Sequence, residues 1–244
     1  MNSGYYAACA GLKAQTRALE LISNNVANLS TMGFRGQQAT FHSLLSAAPD
    51  MVNGALNEAV NNFNVVGAVR LDGSAGNLQS TGNALDLAIE GAGFFAVQTK
   101  AGTVYTRDGN FQVSVNGRLA TSAGDLVLGE NGPISVPSGE VSFSADGTLS
   151  VGGAVAGKLR IVEFAPGSDV EPLGNSYYSA DAKDARPSGS SNVRQGMLES
   201  SNVSSVAAVV QLLSVQRRAE MLERAMSAYY ANFDHIAAND LPHV

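Results

Sequence analysis

Tryptophan is absent from these 244 residues, aromatic residues make up only 7%, and cysteine occurs once. A lone Cys9 excludes an intrachain disulfide, so no cystine framework holds the fold. Charged residues are few, 15%, and lean acidic, with 15 basic against 21 acidic side chains. That balance disfavours a nucleic-acid partner, since neutralising phosphates takes clustered Lys and Arg, and no such partner is expected. No apolar run reaches the roughly 18 residues of a membrane-crossing helix, so no membrane span is expected. Asn2-Ser3-Gly4 carries no charge and the segment after it is amphipathic. A cleaved signal peptide is therefore not expected, and work outside the cytoplasm would need a route that cleaves no leader.

Chemistry-bearing patterns are also missing. Gly91-Ala92-Gly93 begins like a dinucleotide loop, but the apolar run Phe94-Phe95-Ala96-Val97 follows and no third glycine opens a helix. His42, His235 and His243 have no metal-ligand spacing with Cys9 or with one another. No nucleophile elbow singles out one of the many serines. The expectation is a non-enzyme, with no catalytic, cofactor or metal-binding residue.

What is present is a repeated periodicity at the two ends. Steps of 3 and 4 from Ala208 meet Leu212, Val215, Ala219, Leu222, Met226, Tyr229, Phe233 and Ile236. The same steps from Tyr5 meet Ala8, Leu12, Gln15, Leu19, Ile22, Val26 and Leu29, with Gln15 alone polar. Such spacing lays each set on one narrow stripe of a helix, and an isolated amphipathic helix is marginal in water. Each stripe is the other's obvious partner. The expectation is a coiled-coil stalk built from residues 1–33 and 198–244, with the middle of the chain inserted into it. Ser200-Ser201-Asn202 supplies N-cap candidates for the second helix.

The inserted part reads as all-β. Between residues 67 and 167 lie 18 of the 26 glycines. Phe111, Val113 and Val115 run into Asn116-Gly117 and then Leu119, while Val141 and Phe143 run into Asp146-Gly147 and then Leu149 and Val151. Asn-Gly and Asp-Gly between alternating runs mark tight hairpins, because both residues tolerate positive φ. Phe94–Val97, Leu126–Leu128 and Leu159–Phe164 add further strands. The fold class expected is α+β, with an all-β domain of short antiparallel strands over 67–181, an extended bridging segment over 34–66 and a polar connector over 182–197.

Three segments carry a family resemblance. Ser23-Asn24-Asn25-Val26-Ala27-Asn28-Leu29-Ser30-Thr31-Met32-Gly33-Phe34-Arg35 resembles the N-terminal signature of flagellar rod and hook proteins. Tyr105-Thr106-Arg107-Asp108-Gly109-Asn110-Phe111 is similar to their central motif, and Leu198-Glu199-Ser200-Ser201-Asn202-Val203 resembles the segment that opens their C-terminal helix. Gly157–Phe164 and the compact middle resemble the proximal-rod member, with a distal-rod or hook-type protein as the nearest alternative. A secreted β module that binds a ligand from a coiled-coil stalk is the alternative of another class.

The resemblance implies a subunit that assembles with itself and other rod proteins into a hollow helical tube, carrying torque from motor to hook. It implies passage through the flagellar export apparatus, contact with periplasmic ring proteins, and a place in the basal-body rod. It also implies an assembly interface of Leu12, Leu19, Ile22, Val26, Asn24, Asn25, Asn28, Leu212, Val215, Leu222, Met226, Tyr229 and Phe233. Gly33 would turn the chain out of the helix, Phe34 would anchor in the next subunit, and Arg107-Asp108-Gly109 would form a turn at the surface of the β domain.

Overall fold

A computed structural model of the chain describes residues 3–42, 65–165 and 167–240. Its architecture is α+β, two long helices and an antiparallel β domain. The chain divides into two compact units, one of Met1–Ala27, Gln37–Arg70 and Ser204–Val244, the other of Asn28–Gly36 and Leu71–Val203.

In the first unit, α1 (Ser3–Ala27) packs against α2 (Ser205–Asp240). On α2 the expected stripe is the covered side: Ala208 is buried, and Leu212, Val215, Ala219, Leu222 and Met226 are half-buried between exposed neighbours. The side chains of Tyr5, Ala8, Tyr229, Phe233 and Ile236 lie outside those described. On α1 the most covered line is Gly11, Ala14, Ala18 and Leu21, one residue before the expected seam. One residue is about 100° around a helix, so Leu12, Leu19, Ile22 and Val26 flank that line half-buried. The physical reason is size: glycine and alanine on the contact line let two helix axes approach closely, and bulkier side chains fill the flanks. Ser204 begins α2, its carbonyl accepting from the Ala208 N–H at 2.9 Å and its Oγ from Ala207 N–H at 3.4 Å. The cap is thus Ser204 rather than the expected Ser200–Asn202, which are engaged in the second unit. Strands β1 (Gln37–His42) and β2 (Val65–Leu71) pair with each other. The rest of the expected bridge, 43–64, lies outside the described residues.

The second unit is built of short antiparallel strands. Its largest sheet contains β5 (Phe94–Thr99), β6 (Gly102–Thr106), β7 (Phe111–Val113), β8 (Leu119–Thr121) and β9 (Leu126–Gly129). It continues through β14 (Ile161–Phe164), β15 (Glu171–Gly174), β16 (Tyr177–Ser179) and β17 (Ala185–Pro187). Both expected hairpins are present. Strand β7 pairs with β8 across Gly117 at φ 68, and β11 (Val141–Phe143) pairs with β12 (Thr148–Val151) across Gly147 at φ 82. Their inward residues join one core around Phe95, Phe111, Leu119, Val127, Leu149 and Leu159. A second cluster gathers Ala96, Tyr105, Val162 and Tyr178.

Residues 182–197 are not a connector. They supply β17, β18 (Asn192–Gln195), paired with β4 (Leu87–Glu90), and the start of β19 (Met197–Glu199), paired with β3 (Leu78–Ser80). The segment's polarity is that of strands with one wet face: Val193 and Leu198 point into the unit while Asn192, Arg194 and Gly189 face solvent.

Candidate functional site

The three signature segments, far apart in sequence, meet inside the second unit. Asn28 opens a turn whose carbonyl accepts from Thr31 N–H at 3.2 Å, and Thr31 Oγ1 donates to Asn28 Oδ1 at 3.1 Å. Gly33 follows with φ 65, the positive value expected for it. Its Cα lies flat against the central motif, and an added Cβ would sit 2.2 Å from Asp108 N and 2.3 Å from Arg107 C. Its N–H donates to the Glu199 carbonyl at 2.8 Å. One glycine therefore touches all three segments, and both its conformation and its lack of a side chain are required.

The charged centre of this meeting is Glu199, whose side chain is 1% exposed. Its Oε1 accepts from Arg35 Nη2 at 2.7 Å and from Gly76 N–H at 2.8 Å, and its Oε2 from Arg107 Nη1 at 3.1 Å. Two guanidinium groups against one carboxylate leave an excess positive charge, and backbone carbonyls accept from three of the Nη atoms. Arg107 donates to Ile89 O at 3.2 Å and Gly91 O at 2.7 Å, and Arg35 to Gly73 O at 3.3 Å. The Arg107 guanidinium also lies 4.9 Å from the centroid of the Phe94 ring, a cation–π contact. Burial pushes the Arg107 pKa down to about 10, against the opposing pull of Glu199. Arg107 Nε is the one buried side-chain polar atom without a hydrogen-bond partner among the described residues.

Neutral groups close the knot. Tyr178 Oη accepts from Arg35 N–H at 2.8 Å and donates to Gly33 O at 3.4 Å. Burial pushes that phenol up to about 12. Asn202 accepts from Gly36 N–H at 2.7 Å and donates to Asp72 O at 3.1 Å and Ser74 O at 2.9 Å. These polar groups are spent on one another. The arrangement holds chain segments together and presents no nucleophile paired with a base. Among the described residues no three His, Cys, Asp or Glu side chains cluster as metal ligands.

Two expectations are corrected here. Arg107-Asp108-Gly109 is not a surface turn: Arg107 is 2% exposed, and Gly109 is buried with its Cα against the Leu87 carbonyl. Asp108 is half-buried, caps Asn110 N–H at 3.0 Å, and has its carboxyl pKa raised by burial. The segment is buried because Arg107 is Glu199's second partner. Phe34, expected to anchor in a neighbour, is 7% exposed within its own chain, which leaves no ring face to offer.

Asn25 belongs to the helical unit, where its side-chain amide accepts from Gln37 N–H at 2.9 Å and donates to Gln37 O at 2.8 Å, as a strand neighbour would. Asn24 is exposed on α1. The sequence reading missed the roles of Arg35, Glu199, Tyr178 and Asn202. The first two had a signal, as the only ionisable side chains in 28–36 and 196–203 and of opposite sign.

Comparison with known proteins places the same segments in one family. The family description "Flagella basal body rod protein" matches residues 6–35, "Flagellar hook protein FlgE/F/G D1 domain" matches 88–151, and "Flagellar basal body rod FlgEFG protein C-terminal" matches 194–238. The flagellar basal-body rod protein FlgF of Mesorhizobium japonicum is 36% identical over 226 residues, covering 90% of each chain. FlgG of Bacillus subtilis is 32% identical over 240 residues, covering 89% of this chain and 91% of its own. FlgF of Caulobacter vibrioides is 30% identical, covering 93% of each. With its three signature segments tied in one buried knot and its relatives matched over nearly their whole length, this chain belongs to the flagellar basal-body rod proteins and is a structural subunit of that rod.

Proposed function

We propose that the two helices form a coiled-coil stalk that builds the inner layer of a hollow, torque-bearing tube with other copies and other rod proteins. The observation that supports this is on α2. Val206, Val210, Leu213 and Met221 are 74%, 57%, 50% and 62% exposed, on the side opposite the stripe that faces α1. At 100° per residue they fall within one sector, which Arg217 and Arg224 share, and an apolar run such as Val206, Val210 and Leu213 on the second side of a helix is suited to a covered position. A single chain leaves that sector wet, and neighbouring helices of the rod would cover it. Leu12, Leu19, Ile22, Val26, Leu212, Val215, Leu222 and Met226, half-covered in one chain, would be covered fully once neighbouring helices pack around the pair. In this reading the part of residues 34–66 that follows Gly36 bridges neighbouring subunits, the flagellar export apparatus delivers the chain without leader cleavage, and periplasmic ring proteins surround the rod.

Identities to FlgF proteins, 36% and 30%, overlap those to FlgG proteins, 31% and 32%. The proximal position therefore rests on the resemblance of Gly157–Phe164 and of the compact middle. The test is Leu213→Asp. It adds a carboxylate to a position already wet in the monomer, so the purified variant melts like the parent, yet it is absent from isolated basal bodies and the cells do not swim. Normal incorporation of Leu213→Asp would remove the exposed face of α2 from the interface.

A further inference from the structure

The large sheet of the β unit can be followed along β15-β16-β6-β5-β14-β17, and both ends of that path are open. Among the described residues β15 pairs only with β16, and β17 only with β14. The two ends carry opposite chemistry. At the β15 end every strand residue is exposed, Leu173 is 58% exposed, and Asp169 and Glu171 meet no cation within ion-pair distance among the described residues.

At the β17 end lies a cleft of about 480 Å³ lined by Arg160, Ile161, Val162, Ala185, Pro187 and Ser188, among others. Arg160 is exposed and forms no ion pair among the described residues. The acids at this cleft, Glu130 and Asp146, both face Lys158, at 3.5 and 4.0 Å. Arg160 is therefore the cleft's uncommitted charge, and its backbone is fixed by bonds to Leu128 O at 3.0 Å and from Ala96 N–H at 3.1 Å. The opposite wall is also preformed. Ser188, Ser190 and Ser191 all donate to Glu163 Oε1, and Ser188 N–H donates to Ile161 O at 3.0 Å.

We propose that this cleft receives residues 169–173, the acidic β15 edge, of a second copy of the chain. Asp169 and Glu171 would meet Arg160, and Leu173 would cover the apolar floor at Ile161 and Pro187. Two different patches on one body make a heterologous contact, which repeats from copy to copy and generates a helical filament when the rotation does not close. Pro172 and Pro187 each remove an N–H from an open edge, which discourages indiscriminate backbone pairing and leaves recognition to side chains. The proposal rests on the assembly reading above and names the surfaces that the β units would use.

Charge exchange tests it, in cells whose only copy is the variant. Arg160→Glu and Glu171→Arg are each expected to lose incorporation into basal bodies, and the double variant to regain it. Because the positions are exposed, the purified single variants should melt with the parent. A second measurement stands if they do not: with Cys9→Ser as background, Arg160→Cys with Glu171→Cys should give a ladder of disulfide-linked multimers in oxidised basal bodies, while either cysteine alone gives no ladder. Single reversals that incorporate normally, or a double-cysteine chain that incorporates but yields no ladder, would overturn the contact. The helix-packing reading above would survive that result, and would fail separately if Leu213→Asp incorporated normally.

Discussion

Glu199 ties distant parts of the β unit together, because each of its oxygens meets a different arginine from a different part of the chain. Glu199→Gln keeps the shape and removes the charge, leaving two buried guanidinium groups without a counter-ion. Breaking a buried ion pair in that way costs about 3–5 kcal/mol, a large share of the ~5–15 kcal/mol that holds an ordinary domain together. Chemical denaturation of the purified variant should show that loss. A change below about 1 kcal/mol would mean that the carbonyls alone satisfy both arginines. Gly33→Ala probes the same knot through the backbone. Its methyl would lie 2.2 Å from Asp108 N at a φ of 65, and we expect a loss of at least about 2 kcal/mol from strain alone.

Tyr178 adds a pH dependence whose sign is fixed. Its folded phenol ionises near 12 against 10 for a free one, with burial the main cause. The stability it contributes is whole below pH 10 and disappears as pH rises toward 12, by up to about 2–3 kcal/mol. The lowered guanidinium of Arg107 acts in the opposite sense over the same range. The measurement is therefore a difference: the gap in stability between the parent and Tyr178→Phe should shrink from pH 10 to pH 12. A constant gap would show that the phenol does not titrate late.

At the scale of elements, the helices separate two faces that a substitution can address one at a time. Leu222 lies on the covered stripe of α2 and Leu213 on its wet side. Leu222→Asp should loosen the pairing of α1 with α2 already in the monomer, seen as faster amide exchange in both helices with the β unit unchanged. Equal exchange in parent and variant would show that this stripe does little to hold the helices. The elements were largely legible in sequence. Alternation and Asn-Gly or Asp-Gly turns marked both hairpins, and steps of 3 and 4 marked both helices. Three things were not legible. The contact line of α1 sits one residue off the apolar seam, because periodicity reports hydrophobicity whereas close packing selects for small size. Strands β17 and β18 hide in a polar stretch because one of their faces is wet. Arg107 is charged and follows an aromatic and a threonine, a local pattern shared by surface turns, and only Glu199, 92 residues on, shows that it is buried.

At the scale of the molecule, the β unit is closed by residues from its two extremes. Gly36 and Asn202 are bonded across 166 positions and Arg35 N–H reaches Tyr178 across 143. Contacts so distant in sequence demand closure of a large loop before they return any stabilisation, and they form late. A chain ended after Gly196 keeps most of the apolar core yet lacks β19, Glu199 and Asn202. It should populate a compact, loosely packed state that binds a hydrophobic dye and lacks the parent's cooperative melt. A cooperative melt at the parent's temperature would make the knot an ornament on an already finished fold.

If the chain were delivered end-first, its order would act as a clock. A polypeptide threaded through a narrow passage with its N-terminus leading would present Arg35 and Gly33 early, but their partner Glu199 is nearly the last residue of the unit to emerge. Until it does, two arginines destined for the interior remain in water and the fold stays incomplete. In such a passage the fold would be complete only once Glu199 had emerged.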